Sequence, residues 1–359
     1  MAINSRWKHE YGVLKDYVAQ NPEIRIYRHM VFIPEDLRGR FYEYFDNVRR
    51  SVVRSWDGPL CSEARSLAEN YAESEKKLNE ALNIGIELLK DLSIFLHDPE
   101  AGMMRLIHSR LFELIQEKMS EDDFERMAES DLAANAAEMF RTGYEAWAAL
   151  ALVLLLEPDE IFGIVLDEKN EPRVAGIDGI AFGRQFHHPA KRIPEFIIHS
   201  RKTGGYVAFK MPLAIEVSAY VLPDEIPTQR LLRKRNGDSS AAIGRRMVFL
   251  SAVPDIEKPP VFANLHERAI HGPDMTVEFA AERDLLYTET VRQVQNRVEI
   301  MKPHLGGIIA LIDTGSKSEP FSIEGNIDVF PVGLDQSKLR QIVNKLISRN
   351  HSGVFRRFL

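Results

Sequence analysis

Between Ser62 and Leu96 the apolar residues Leu67, Tyr71, Leu78, Leu82, Leu89, Leu92 and Leu96 recur at intervals that keep one stripe on a helix. Glutamates cover the opposite face. Residues 35–55 follow Pro34 and meet no breaker until Gly58-Pro59, which predicts another helix. Residues 100–118 and 121–154 predict two more, separated by Ser120-Glu121-Asp122-Asp123, with Ser120 as the N-cap. A bundle of four or five helices, packed through these stripes, accounts for the first 150 residues.

The period changes at Glu157-Pro158. IFGIVLD, the turn-forming EKNEP and RVAGIDGIAFG read as a hairpin. PEFIIHS and YVAFKMPLAIEVSAYVL, joined by RKTGG, read as a second. RRMVFLSAV adds a strand, and a proline-rich loop follows. Val277 to Met301 reads as one long helix closed by Pro303, with Tyr287, Val291, Val294, Val298 and Met301 on one face. GGIIALI and NIDVFPV are strands, and Asp335 caps a last helix whose inner face is Leu339, Ile342, Val343 and Leu346. The predicted class is α+β: an N-terminal helical bundle over residues 1–154, then a mixed β-sheet domain with flanking helices over 155–359.

Composition narrows the classes. A chain of 359 residues, 45% hydrophobic and 28% charged, is long enough for two packed domains. The longest apolar run, Ala146 to Leu156, has 11 residues, whereas a membrane span needs about 20. It reads as a buried helix end, and no membrane partner is expected. The start, MAINSRWKHEYG, has no apolar core of a secretory signal, and the one cysteine, Cys61, excludes an intramolecular disulfide and a cysteine-rich metal site. A cytoplasmic location is the expectation.

Charge is uneven. The net charge is −7, yet residues 191–246 carry 11 basic against 5 acidic residues. Within that segment Arg230, Arg233, Lys234, Arg235, Arg245 and Arg246 surround Gly237-Asp238-Ser239-Ser240. Such a loop suits nucleic-acid phosphates, gripped without reading sequence. The plainer alternative is a solvated surface loop.

Two acids interrupt apolar runs: Asp178 in RVAGIDGIAF and Glu216 in PLAIEVSAYV. An acid in such a run is costly to bury, so it is paired, bound to a metal or exposed. On a strand, Glu216 and Ser218 share one side. Phosphodiester hydrolysis needs an activated water and a sink for charge on phosphorus, and Mg²⁺ held by carboxylates supplies both.

Over residues of about 157 to 313, the order of elements resembles the PD-(D/E)XK nuclease superfamily. That family places an acid in one strand and (D/E)-x-K in the next, followed by a helix and another strand. The resemblance implies a restriction-endonuclease-like core acting on DNA. Asp178 and Glu216 would hold Mg²⁺, and Ser218 and Gln295 would orient water or phosphate; Gln293 is the alternative glutamine. Ser218 stands where the family has its lysine and carries no positive charge. Lys210 has the right parity but lies six residues from Glu216, about 20 Å along a strand. Arg292 and Arg297 are the cations that would replace it. Glu195 is a rival first acid, 21 residues before Glu216 where Asp178 is 38 before it.

Other signatures carry less. Asp313-Thr314-Gly315 copies an aspartic-protease turn, but too little chain separates it from NIDVF for a flap. His187, His188, His266, His271 and His304 form no metal-ligand spacing. No GxxxxGK[ST], strand-coupled GxGxxG or GxSxG occurs. The reading from a different class is a non-catalytic assembly or adaptor protein, whose helical domain contacts a protein partner or a second copy; Ser218 favours it.

Overall fold

The computed structural model describes residues 6–56, 59–169, 171–182, 191–210, 247–253, 256–257, 259–264, 269–270, 272–313 and 319–351. The chain forms two compact units, one of residues 1–69 and 90–143, the other of residues 70–89 and 144–359.

The elements run α1 (Arg6–Gln20), β1 (Arg25–Tyr27), β2 (Met30–Phe32), α2 (Glu35–Ser55), α3 (Pro59–Leu82), β3 (Gly85–Glu87), α4 (Lys90–His97), α5 (Pro99–Leu106), α6 (His108–Ile115) and α7 (Glu121–Leu155). There follow β4 (Pro158–Leu166), β5 (Pro172–Gly176), β6 (Gly179–Ala181), β7 (Lys191–Arg192), β8 (Phe196–Ser200), β9 (Gly205–Lys210), β10 (Met247–Val253), β11 (Ala263–Asn264), β12 (Ala269–Ile270) and β13 (Met275–Ala280). A 3-10 turn (Glu282–Leu286), α8 (Thr288–Met301), β14 (Gly307–Leu311), β15 (Phe321–Ile323), β16 (Ile327–Pro331) and α9 (Gln336–His351) complete the chain. The class is therefore α+β, with a large mixed sheet. The helix-to-strand change falls after Leu155, whereas the division by compactness falls earlier, inside α7 at Gly143/Tyr144.

In the helical unit, apolar stripes and aromatic rings make the core. Trp7 and Phe124 meet at a tilt with centroids 4.8 Å apart, and Phe45 meets Phe112 at 4.6 Å. Ser120 Oγ accepts the Asp123 N–H at 3.1 Å and starts α7, as its sequence predicts. The long stripe from Ser62 to Leu96 is not one helix. It breaks at Asn83, whose φ of 52° is left-handed, and resumes as α4 beyond β3. Asparagine tolerates that conformation better than most residues. The stretch 100–118 also divides, at Ile107, into α5 and α6. A β1–β2 hairpin interrupts the helices, with Tyr27, Met30 and Phe32 exposed.

The sheet unit carries nine strands in the order β15-β16-β14-β13-β10-β9-β8-β4-β5. β13, β14 and β16 run parallel, and the other neighbours pair antiparallel. The two predicted hairpins form, β4–β5 and β8–β9, the second turning at Gly204 with φ +66°. The apolar run of α7 is wholly buried from Ala146 to Val153, as expected. The Tyr144 ring lies 5.7 Å from that of Phe279, and its hydroxyl donates to Gly333 O at 2.5 Å. No helix among the described residues is long and apolar enough to cross a membrane.

Residues 277–301 are not one helix. Met275–Ala280 is strand β13, and all six of its residues are buried. A strand covered on both faces shows no alternation of polar and apolar positions, so its sequence resembles a buried helical turn. The helix proper is Thr288–Met301, closed by Lys302, which is left-handed (φ 45°), just before Pro303. Val294, Val298 and Met301 point inward as expected, while Tyr287 is exposed.

Candidate functional site

One face of the nine-stranded sheet carries two apolar clusters. Ala280, Val294, Val298, Ile309, Leu311, Ile327 and Val329 make one, and Ile164, Ile193, Ile197 and Ala208 make the other. Polar residues on this same face are buried as well. Position 249 of β10 pairs with Lys210 on one side and Thr276 on the other, so Lys210 and Thr276 share a face, and Glu278 lies two residues beyond Thr276.

Helix α8 crosses from β13 to β14 and lies over this face. Its approach is close because position 307 is glycine: a Cβ there would meet Val298 Cγ2 at 2.5 Å. Arg297, beside Val298, reaches Glu278 through two bonds, Nε to Oε1 at 3.0 Å and Nη2 to Oε2 at 2.6 Å. The side chains are 5% and 1% exposed. This fork-on-fork geometry is the strongest that arginine offers a carboxylate. Burial pushes the Glu278 carboxyl up from the ordinary carboxylate range, against the opposing pull of Arg297. Gln293, one turn before Arg297, is buried and donates to Glu289 Oε1 at 3.2 Å.

A second buried ion pair lies two strands away. Lys210, the last residue of β9, donates to Glu195, just ahead of β8; their side chains are 4% and 10% exposed. Two strand spacings and two residues of rise separate the backbones of Lys210 and Glu278 by about 12 Å. Two buried carboxylate–cation pairs thus occupy one sheet face, near the carboxyl ends of β9 and β13. Open α/β sheets commonly bind ligands at that end of their parallel strands. Nearby, Asp313 at the end of β14 accepts the Glu282 N–H at 2.6 Å, and Asp284 accepts that of Ala281 at 3.0 Å. Asp313 is thus a backbone cap joining two strand ends.

The residues expected from sequence fare differently. Asp178 is exposed, in the turn between β5 and β6, and not within a strand. Two glycines explain the correction: the β4–β5 ladder ends at Gly176, and at Gly179 the chain joins β3 in a separate two-stranded sheet. β5 is the far edge strand, five places from β13. Gln295 also faces elsewhere, donating to Glu324 O at 3.1 Å, so Gln293 is the glutamine on the Glu278 side of α8. Arg292 is exposed and bonds Glu289. Glu216 and Ser218, with Arg230, Arg233, Lys234, Arg235, Arg245 and Arg246, lie outside the described residues, as do His187, His188, His266 and His271; His304 is described, 3.2 Å from Asp274.

Glu278 is hidden in the sequence because residues 277–301 carry a helix-like pattern of apolar positions. Thr276, Val277 and Phe279 were the missed signal, since β-branched and aromatic residues between Pro273 and Asp284 favour a strand. Among the described residues no group of three or more His, Cys, Asp or Glu converges to hold a metal ion. Glu278, with both oxygens on Arg297, does not fit a Mg²⁺ site as it stands. No protein-family model, no curated protein and no solved structure matches this chain.

Proposed function

We propose that the sheet unit is a PD-(D/E)XK-like domain that acts on DNA phosphodiesters, with Glu278 in the place of the family's second acid. The observation that carries this reading is the path strand β13, helix α8, parallel strand β14, with the acid on the strand that enters the helix. In that frame Ala280 stands two residues on, where the family has lysine, and Arg297 brings the positive charge from the helix. Lys210 brings a second cation on the same face.

The chemistry assigned to these residues is an exchange of partners. A phosphate entering beside Arg297 and Lys210 competes with Glu278 and Glu195 for the two cations. The cations then carry the charge that builds on the phosphoryl oxygens. Glu278, released in a site that favours its protonated form, accepts a proton from the attacking water. Water oxygen bonds to phosphorus as the bond from phosphorus to the sugar oxygen breaks, and the departing oxygen takes, through solvent, the proton that Glu278 accepted from the water. No step is assigned to a metal, because the described residues do not compose a site for one.

A second reading has its own observation. Glu278 has both oxygens engaged by Arg297 in a dry setting, which suits a fixed strut in a non-catalytic assembly protein. The test is nicking of supercoiled plasmid by the full chain in Mg²⁺ or Mn²⁺, with wild type, Glu278→Gln and Glu216→Ala compared. The nuclease reading expects nicking by the wild type and at least a hundredfold loss in Glu278→Gln, about the size of a lost general base. Wild type without nicking, or Glu278→Gln at wild-type rate, overturns it in favour of the strut.

A further inference from the structure

The helical unit holds a cleft of about 280 Å³ between the start of α1 and the second half of α2. We infer that this cleft binds a phosphate group. The inference does not rest on the nuclease reading.

Three arginines line the cleft, Arg6 from α1 and Arg50 and Arg54 from α2. On α2 the lining positions 47, 50, 51, 54 and 55 recur at helical spacing, so they form one polar stripe. Glu10 also lines the cleft. Glu100, on α5, receives Arg54 through two bonds of 3.1 Å and Arg50 Nε at 3.2 Å. Two guanidiniums on one carboxylate leave a surplus positive charge and fix both arginines in place. Asn47 Oδ1 accepts from Arg50 Nη1 at 2.9 Å, which holds that side chain further. A preordered fork of this kind suits phosphate oxygens. This concentration of arginine stands out in a region, residues 1–150, with 19 basic against 27 acidic residues.

Ser51 supplies the independent observation. It lies on the cleft wall and is 9% exposed, and its Oγ has no hydrogen-bond partner among the described residues. Serines inside helices ordinarily return their hydroxyl to a carbonyl one turn back. Ser55 does so to Val52 O at 2.9 Å, and Ser74 to Asn70 O at 2.8 Å. A buried hydroxyl without such a bond carries a desolvation cost that an anion in the cleft removes. Drug-sized ligands occupy pockets of about 300–1,000 Å³. A cleft of about 280 Å³ therefore takes a small anionic group in place of a whole ligand.

The test is calorimetric titration of the full chain with inorganic phosphate, pyrophosphate and a short DNA duplex, for wild type, Arg54→Gln, Arg6→Gln and Ser51→Ala. The expected result is binding of at least one of them. Each arginine variant should weaken it about tenfold or more, and Ser51→Ala about threefold to tenfold. Ser51→Ala removes an unpaired hydroxyl without touching the Glu100 tether, so its apo Tm should stay level or rise. Pyrophosphate binding without duplex binding assigns the cleft to a free phosphate compound, and duplex binding weakened by the same variants assigns it to a nucleic-acid backbone. No heat with any probe overturns the inference, as does binding that Arg54→Gln and Ser51→Ala leave unchanged.

Discussion

Both units carry surface ion pairs, but they differ in their most buried ones. In the helical unit, ion pairs join helices at the surface. Lys15 meets Glu121 with side chains 56% and 40% exposed, and Arg110 meets Asp131 at 30% and 27%. In the sheet unit, Lys210–Glu195 and Arg297–Glu278 are at most 10% exposed. Exposed pairs contribute about 0–1 kcal/mol, because water already solvates both partners. Buried pairs cost several kcal/mol per ion to desolvate, and a hydrophobic pair of similar volume often does as well or better. The first kind needs no purpose beyond modest stabilisation. The second kind occurs twice on one sheet face, where the proposed function assigns it chemistry.

Removing one partner should separate the two kinds most clearly. Arg297→Met strands Glu278 in a dry site and should destabilise the sheet unit by about 3–5 kcal/mol, measured by urea unfolding at neutral pH. The loss should depend on pH. With Arg297 gone, burial raises the folded-state pKa of Glu278 without opposition. Its contribution is then retained below the unfolded value of about 4.3 and lost as pH rises through the folded value. The variant should therefore be closest to wild type near pH 4 and furthest at pH 8.

A packing change at the same place gives the next effect. Gly307→Ala sets a methyl 2.5 Å from Val298 Cγ2 and should cost about 1–3 kcal/mol as α8 shifts off the sheet. Because α8 carries Arg297, this variant should also lower any plasmid nicking. A variant that is destabilised but nicks normally would show that the helix position is irrelevant to the site.

Smaller effects belong to the exposed pairs. Asp328, between Ser322 and Lys345, shows the opposite pH sign. Burial would raise its carboxyl, but the bonds from Lys345 and Ser322 outweigh that and hold it below the ordinary carboxylate range. Its contribution is present at neutral pH and lost as pH falls through that lowered value. Lys345→Gln should lower the urea midpoint slightly at pH 7 and leave it unchanged in acid, where the Asp328 contribution is already lost, so the acid-side fall flattens. Lys15→Gln in the helical unit should cost less than about 1 kcal/mol at any pH. A loss of 3 kcal/mol or more there would erase the contrast between the units.

What the sequence disclosed follows the same division. The helices over 35–55 and 121–154, the Ser120 cap, the two hairpins and the buried end of α7 are legible, because each has a one-sided pattern or a turn residue that fixes it. The candidate site was not. It depends on β13, a strand buried on both faces, whose apolar run carries no strand period. It also depends on pairings of residues 15 and 19 positions apart, Glu195 with Lys210 and Glu278 with Arg297, which only tertiary packing creates. The sequence marks Arg297 as a cation available to the site but points to Glu216, not Glu278, as the acid beside it. Asp178 attracted the reading because an acid in an apolar run is conspicuous, yet a turn between two short strands accommodates it at the surface.

Under the proposed function the Glu278–Arg297 pair serves chemistry at this sheet face and not stability. The double variant Glu278→Leu/Arg297→Met tests it, with plasmid nicking in Mn²⁺ measured on protein whose urea unfolding has been checked. The expected result is stability equal to wild type or higher by up to about 4 kcal/mol, with nicking abolished. A double variant that is stable and nicks like the wild type, or a wild type that does not nick at all, would contradict it.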